Sequence, residues 1–204
     1  TAMGYSTKAS GAYSTAMGYN SQATGLSSTA MGRNTMVTGN YSTAMGYGTY
    51  CPGNYSTAMG YDSHANRDYT TAMGRSTNAD GKNSTAIGYA TSAMAYQLVV
   101  GKYNVISGDT ISYSSIEPLF IVGNGTGPIS RSNALTLFGN GNLTIAGTLT
   151  EGSDIRLKTN ITPIGNTLAS LEFINPIKYE FKNTELHPAG RQLGFSAQEI
   201  KAQF

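Results

Sequence analysis

The sequence has no tryptophan and a single cysteine, and only 12% of its 204 residues are charged, for a formal charge of +2. One cysteine excludes disulfide stapling within the chain. No apolar run reaches the roughly 18 residues of a membrane helix. No signal peptide is visible; the sequence opens on Thr1 in mid-repeat, so the natural N-terminus is expected further upstream. The two histidines, His64 and His187, lie far apart with no ligand partners beside them, so we expect surface residues, no metal site and no cofactor. The few charges are unevenly spread. Residues 1–103 hold nine of them and no Glu, whereas residues 151–204 hold twelve in about half the length, which marks a domain boundary near 150.

What is present is a repeat. Thr-Ala-Met-Gly stands at Thr1, Thr15, Thr29, Thr43, Thr57 and Thr71, and returns as Thr-Ala-Ile-Gly at Thr85, always fourteen residues apart. An unbroken period of this kind signals a solenoid, each repeat one turn stacked on the next. Position 4 is always Gly. Position 9 is small or apolar (Ala9, Ala23, Val37, Cys51, Ala65, Ala79, Ala93), which makes Cys51 a buried small residue. Position 11 is Gly except at Arg67 and Ala95. Two Gly columns predict two short strands joined by two turns, the Gly supplying the positive φ of each turn. Gly twice per repeat, with much Thr, Ser and Tyr, opposes a helix.

The two strands differ in pattern. Ser-Thr-Ala-Met-Gly is small or apolar on both faces, the mark of a parallel strand covered on both sides. Around Ala9, Ala23 and Ala79 the other strand alternates, with one small residue in and polar neighbours out. Inward Met and Ala bury too little to order a coil on their own. Several copies of the chain are therefore expected to pack their Thr-Ala-Met-Gly strands around a common axis.

Ser-x-Ala-x-Gly strands at this spacing resemble the head of YadA-type trimeric autotransporter adhesins, over residues 1–104. The resemblance implies a left-handed parallel β-roll and a homotrimer. It leaves the ligand open.

Two outward columns are candidates for contact. Position 5 reads Tyr5, Tyr19, Arg33, Tyr47, Tyr61, Arg75, Tyr89; position 13 reads Tyr13, Ser27, Tyr41, Tyr55, Tyr69, Asn83, Gln97. Each is either a receptor-binding stripe or a self-stacking ladder at the coil edge. Position 7 is Ser or Thr throughout (Thr7, Ser21, Thr35, Thr49, Ser63, Thr77, Thr91), so an ice-binding solenoid, with a flat hydroxyl array, is a further reading. The last coil is one residue short, and 98–104 closes the period as a cap.

Residues 105–150 read as a β-rich connector, with strands over 118–122, 134–138 and 142–146 and Gly-rich turns at 123–127 and 139–141. No Lys-Ser/Thr follows either Gly run, so neither is a phosphate loop. Residues 151–204 read as the start of a small α+β domain. A short helix is expected over 166–172, strands over 176–182 and 192–196, and a helix from Ala197.

Ser153-Asp154-Ile155-Arg156-Leu157-Lys158, with Gly194-Phe195-Ser196-Ala197-Gln198-Glu199 downstream, resembles the C-terminal intramolecular chaperone of phage endosialidases, tailspikes and related fibres. That domain normally runs further than residue 204. The resemblance implies a trimer assembled by the chaperone, which then cuts its own chain between Ser153 and Asp154, with Ser153 and Lys158 as a catalytic dyad. A Ser hydroxyl needs a base, and a Lys whose pKa is lowered by burial can serve. Five residues of extended strand span about 16 Å and put the two side chains on opposite faces. Attack of Ser153 on its own carbonyl would close a four-membered ring. The pair must therefore meet through a bend or across chains.

The expected protein is a mainly β, trimeric surface or tail-fibre protein for attachment, extracellular, on a bacterial surface or a phage tail. Its domains are a roll (1–104), a connector (105–150) and a chaperone start (151–204). A receptor or glycan, not nucleic acid, is the expected partner. Any enzymatic activity is at most one autocatalytic cut as a serine endopeptidase; the alternative is a structural fibre with an inert C-terminal trimerisation cap. Glycan hydrolysis is not expected, because the coils have no paired carboxylates.

Overall fold

The computed structural model describes residues 1–148, 159–163, 165, 171–182 and 190–203. Two compact units divide the chain, Thr1–Thr148 and Leu149–Phe204.

The first unit is built on the fourteen-residue period. Each coil has a long strand over positions 1–5 and a short strand over positions 8–9, as in Thr57–Tyr61 and His64–Ala65. Long strands pair in parallel with the long strands of neighbouring coils, Thr71 beside Thr57 and Thr85 beside Thr71; short strands form a separate seven-stranded sheet. Like residues therefore stack on like.

The core between the two sheets is thin. Ala16, Ala30, Ala44, Ala58, Ala72 and Ala86 face the position-9 column, and all are fully buried. Hydroxyls flank this seam. Ser14 and Ser28 donate to the Gly11 and Gly25 carbonyls at 2.7 Å, and Ser42 and Ser56 reach forward to the Gly53 and Arg67 carbonyls at 2.7 Å. Met, expected inward, faces out: Met3 is 58% and Met45 37% exposed, and Ile87 continues the row. Ala at position 2 takes the inward place because strand neighbours alternate sides.

The Gly columns do other work than supplying the turns. Positive φ at the turns belongs to positions 6 and 13, mostly non-Gly: Asn20 (51°), Asp62 (52°), Tyr41 (55°) and Tyr69 (58°). Gly at position 4 has φ of 113–133° along Gly18, Gly32, Gly46, Gly60, Gly74 and Gly88, but it lies inside the long strand. Gly at position 11 is needed for close approach: a Cβ on Gly11 would stand 1.9 Å from the Gly25 carbonyl oxygen.

The shortened coil places Tyr96 (φ 61°) in column 13 and Gln97 in column 14, where the Thr85 amide bonds its carbonyl at 2.8 Å. Gln97 thus leaves the aromatic column to which sequence spacing assigns it. The connector expected from residue 105 lies inside the first unit. Leu98–Lys102 and then Pro118–Asn124 add two more parallel rungs, with Gly101 and Gly123 continuing the position-4 column and Val99 and Ile121 fully buried in the Ala column. Asn133–Phe138 and Leu143–Ile145 then pair antiparallel. The short sheet ends at Ser92–Ala93, where the Asn104 side chain imitates the missing rung: its amide donates to the Ser92 carbonyl and accepts from the Ser92 N–H, both at 2.9 Å.

In the second unit Ile177–Tyr179 pairs antiparallel with Gln192–Gly194. The helix Ala197–Gln203 starts after Ser196, whose hydroxyl accepts the Glu199 N–H at 3.4 Å. Ser-x-x-Glu is a capping signature. Of the helix expected over 166–172, only Leu171 and Glu172 lie among the described residues.

Candidate functional site: the side ladder of the roll

Column 5 is a continuous stack. Tyr5 and Tyr19 lie 5.1 Å apart and nearly parallel, as do Tyr47 and Tyr61. Arg33 fills the gap between Tyr19 (5.3 Å) and Tyr47 (5.6 Å), and Arg75 that between Tyr61 (5.7 Å) and Tyr89 (5.2 Å). Parallel rungs about 4.8 Å apart impose this spacing, and offset rings and guanidinium planes both suit it. Tyr103, which sequence spacing misses, closes the ladder edge-on against Tyr89 at 5.0 Å. The Tyr89 hydroxyl, bonded to that of Tyr103, raises the Tyr103 pKa.

Stacking occupies the flat faces of these groups. What it leaves outward are ring edges, phenol hydroxyls and in-plane guanidinium donors. Tyr19 stays 48% and Tyr61 51% exposed. Among the described residues, Arg33 and Arg75 have no carboxylate partner. The ladder is thus suited to hydrogen bonding along its edge, and poorly suited to stacking a ligand ring on its faces.

Column 13 forms a second stack, Tyr41–Tyr55–Tyr69, with rings 5.2 Å apart. Tyr at left-handed φ is an uncommon choice; stacking worth about 0.5–1.5 kcal/mol per pair offsets it. Column 7 offers no water-ordering face. Ser21, Thr35, Thr49, Ser63, Thr77 and Thr91 are at most 1% exposed, so the ice-binding reading fails on burial. Cys51 is buried, and burial pushes its thiol up to about 12, which makes it chemically quiet. His64 contacts Asp62 at 3.3 Å and meets Tyr50 edge-on. Among the described residues no group of three or more His, Cys, Asp and Glu could hold a metal ion, and no helix is long and apolar enough to cross a membrane. Ser153, Asp154 and Lys158 lie outside the described residues.

Stacked fourteen-residue coils, two parallel sheets and paired Gly columns define a parallel β-solenoid. Its repeats are YadA head domain repeats: the model of that family matches residues 1–21, 23–49, 52–77 and 68–91. The C-terminal residues 153–204 match the family described as chaperone of endosialidase. No curated protein matches the chain. A YadA head followed by this chaperone is the make-up of an extracellular surface or phage-tail protein.

Proposed function

We propose that the chain is one third of an attachment fibre. Three rolls associate through the outward face of the long-strand sheet, the ladders meet the target surface, and the C-terminal region drives assembly. The observation that carries this reading is the Met row. The coil closes its own core with Ala, yet leaves Met3, Met17, Met31, Met45, Met59 and Met73 on a sheet face at least partly exposed, with Thr beside each. A row of thioethers on a flat sheet is an interface in want of a partner, and cyclic closure by identical chains covers it without open ends. Both matching families are ones in which homotrimers are implied. The test is solution mass by light scattering. A trimer is expected, and Met45→Asp with Met59→Asp should yield monomer; a wild-type monomer would sink the reading.

The second part of the proposal is self-processing. The chaperone match begins at Ser153 and spans Asp154 and Lys158, which supports Ser153 as the essential hydroxyl and Lys158 as its base. Cutting between Ser153 and Asp154 after assembly would release the finished fibre. Intact mass of the natural full-length product, beside Ser153→Ala, tests it. Two fragments with an uncut control are expected; one uncut mass in both leaves an inert trimerisation cap. A mixture of Ser153→Ala and Lys158→Ala chains asks whether the dyad forms across chains, and regained cleavage is the positive result.

A further inference from the structure

The position-11 column departs from Gly twice, at Ala95 in the shortened coil and at Arg67 in a full-length one. Close approach to the next coil favours Gly there, yet the fifth coil carries Arg67. Its carbonyl is held by two hydroxyls, Ser56 at 2.7 Å and Thr70 at 2.6 Å, so the corner is pinned despite the larger residue. Beside it the loop 105–117 folds back along the coil corners. The Lys82 and Ala95 amides donate to the Thr110 and Asp109 carbonyls at 2.9 and 2.8 Å. Asp109 accepts from the Ile111 and Ser112 N–H groups, which fixes the loop tip.

Between these corners and the loop lies a cavity of about 320 Å³, lined by Arg67, Lys82, Asp68, Asn66, Pro52 and Thr110 among others. That is room for a sugar ring with its substituents, at the small end of the roughly 300–1,000 Å³ typical of ligand sites. Every coil residue in the lining comes from positions 10–12, so none lies in the Met-bearing strands. Among the described residues neither the Arg67 guanidinium nor the Lys82 ammonium has a carboxylate partner. Asp68 uses one oxygen, Oδ1, for the Asn54 amide and side chain, at 2.8 and 3.0 Å. Its second oxygen remains as an acceptor.

We propose that this cavity is a binding site for a carboxylate-bearing sugar. A guanidinium fork suits a carboxylate, with Lys82 adding charge. Asp68 and Thr110 supply hydrogen-bonding partners for ring hydroxyls. The same Asp68 opposes a doubly charged phosphate and gives a bare anion nothing to gain. The proposal rests on the attachment reading above and gives it a ligand class.

The test is saturation-transfer NMR on the full chain with methyl β-glucuronide, methyl β-glucoside, acetate and inorganic phosphate. Glucuronide binding is expected, with the other three weaker by about tenfold or more, the scale of one charge-assisted contact. Arg67→Gly restores the repeat's own residue and so keeps the fold; it should weaken glucuronide binding by about tenfold. Lys82→Gln should weaken it less. Equal binding of glucoside and glucuronide, acetate or phosphate binding as tightly, or unchanged binding by Arg67→Gly would each overturn the assignment. Glucuronide binding by a chain whose fibres fail to attach to cells supports the site and counts against the attachment reading alone.

Discussion

Replacing Gly60 and Gly48 by Ala separates two demands that glycine meets in this roll. Gly48 has φ 63° with nothing nearer than 3.9 Å to an added Cβ. Gly48→Ala therefore costs only the left-handed backbone preference, about 1–2 kcal/mol. Gly60 has φ 117°, and a Cβ there would stand 2.0 Å from the Gly74 carbonyl oxygen. That oxygen belongs to backbone in the middle of a parallel strand pair and has no side-chain freedom. Ordinary contact requires the rungs to part by more than about 1 Å, which takes hydrogen bonds such as Ser76 N–H to the Tyr61 carbonyl (2.8 Å) beyond useful length. Losing two to four such bonds at about 1 kcal/mol each, on top of the backbone term, gives about 4–6 kcal/mol. For a chain of this size that is a fall in Tm on the order of 10–20 °C, against about 2–8 °C for Gly48→Ala. Thermal melts followed by circular dichroism read the difference. Equal Tm values for the two variants would refute the close-approach argument.

Three further outcomes follow from side chains already described. Thr49 and Thr77 carry buried hydroxyls without a hydrogen-bond partner, whereas Ser63 donates to the Gly74 carbonyl at 3.0 Å. Thr49→Val and Thr77→Val should leave the urea midpoint unchanged or raised, and Ser63→Ala should cost about 1 kcal/mol; the reverse order would count against the packing. The Ser112 and Ile111 N–H groups hold the Asp109 carboxyl below its ordinary 3.8. Because the folded value is depressed, the loop's stabilisation is complete above that pH and is lost as pH falls through the folded value. Amide exchange at Ile111 and Ser112 should accelerate there, and Asp109→Asn should abolish the pH step. Cys51, with its thiol pushed up to about 12 by burial, should resist iodoacetamide at pH 8 and react only on unfolding; labelling of the folded protein at the rate of a free thiol would contradict its burial.

The period, the strand positions and the buried Ala column were legible in the sequence because like residues stack directly on like. The roles within the period were less so. Alternation carries a side chain's direction along a strand, but the left-handed residue at position 6 resets it. Ser21 and Thr35 therefore go inside, where simple spacing offers them as surface. The same left-handed turns at positions 6 and 13 fall on Asn, Asp, Ser and Tyr, which hid the real task of glycine, the contact between coils. Phe120-Ile121-Val122-Gly123 is a rung of the roll, and its signal was present: an apolar triplet followed by Gly, as in Leu98-Val99-Val100-Gly101. A spacing of twenty-two residues from Leu98 to Phe120 in place of fourteen concealed it. For the candidate sites, the column-5 stack followed from period alone, while the cavity at Arg67 needs the loop 105–117, whose fold-back no repeat predicts.

The hydrogen bonds between coils lie along the stacking axis, and this sets how the roll meets load. Tension applied from end to end pulls each rung straight off its neighbour and strains one ladder at a time, as in a zip. Each coil that yields frees fourteen residues, or about 45–50 Å of extended chain. A fibre held by both ends would lengthen in steps of about 40–45 Å, the freed length less the rise of one folded rung, keep its remaining coils intact, and absorb a sudden pull by extension before its anchorage takes the strain.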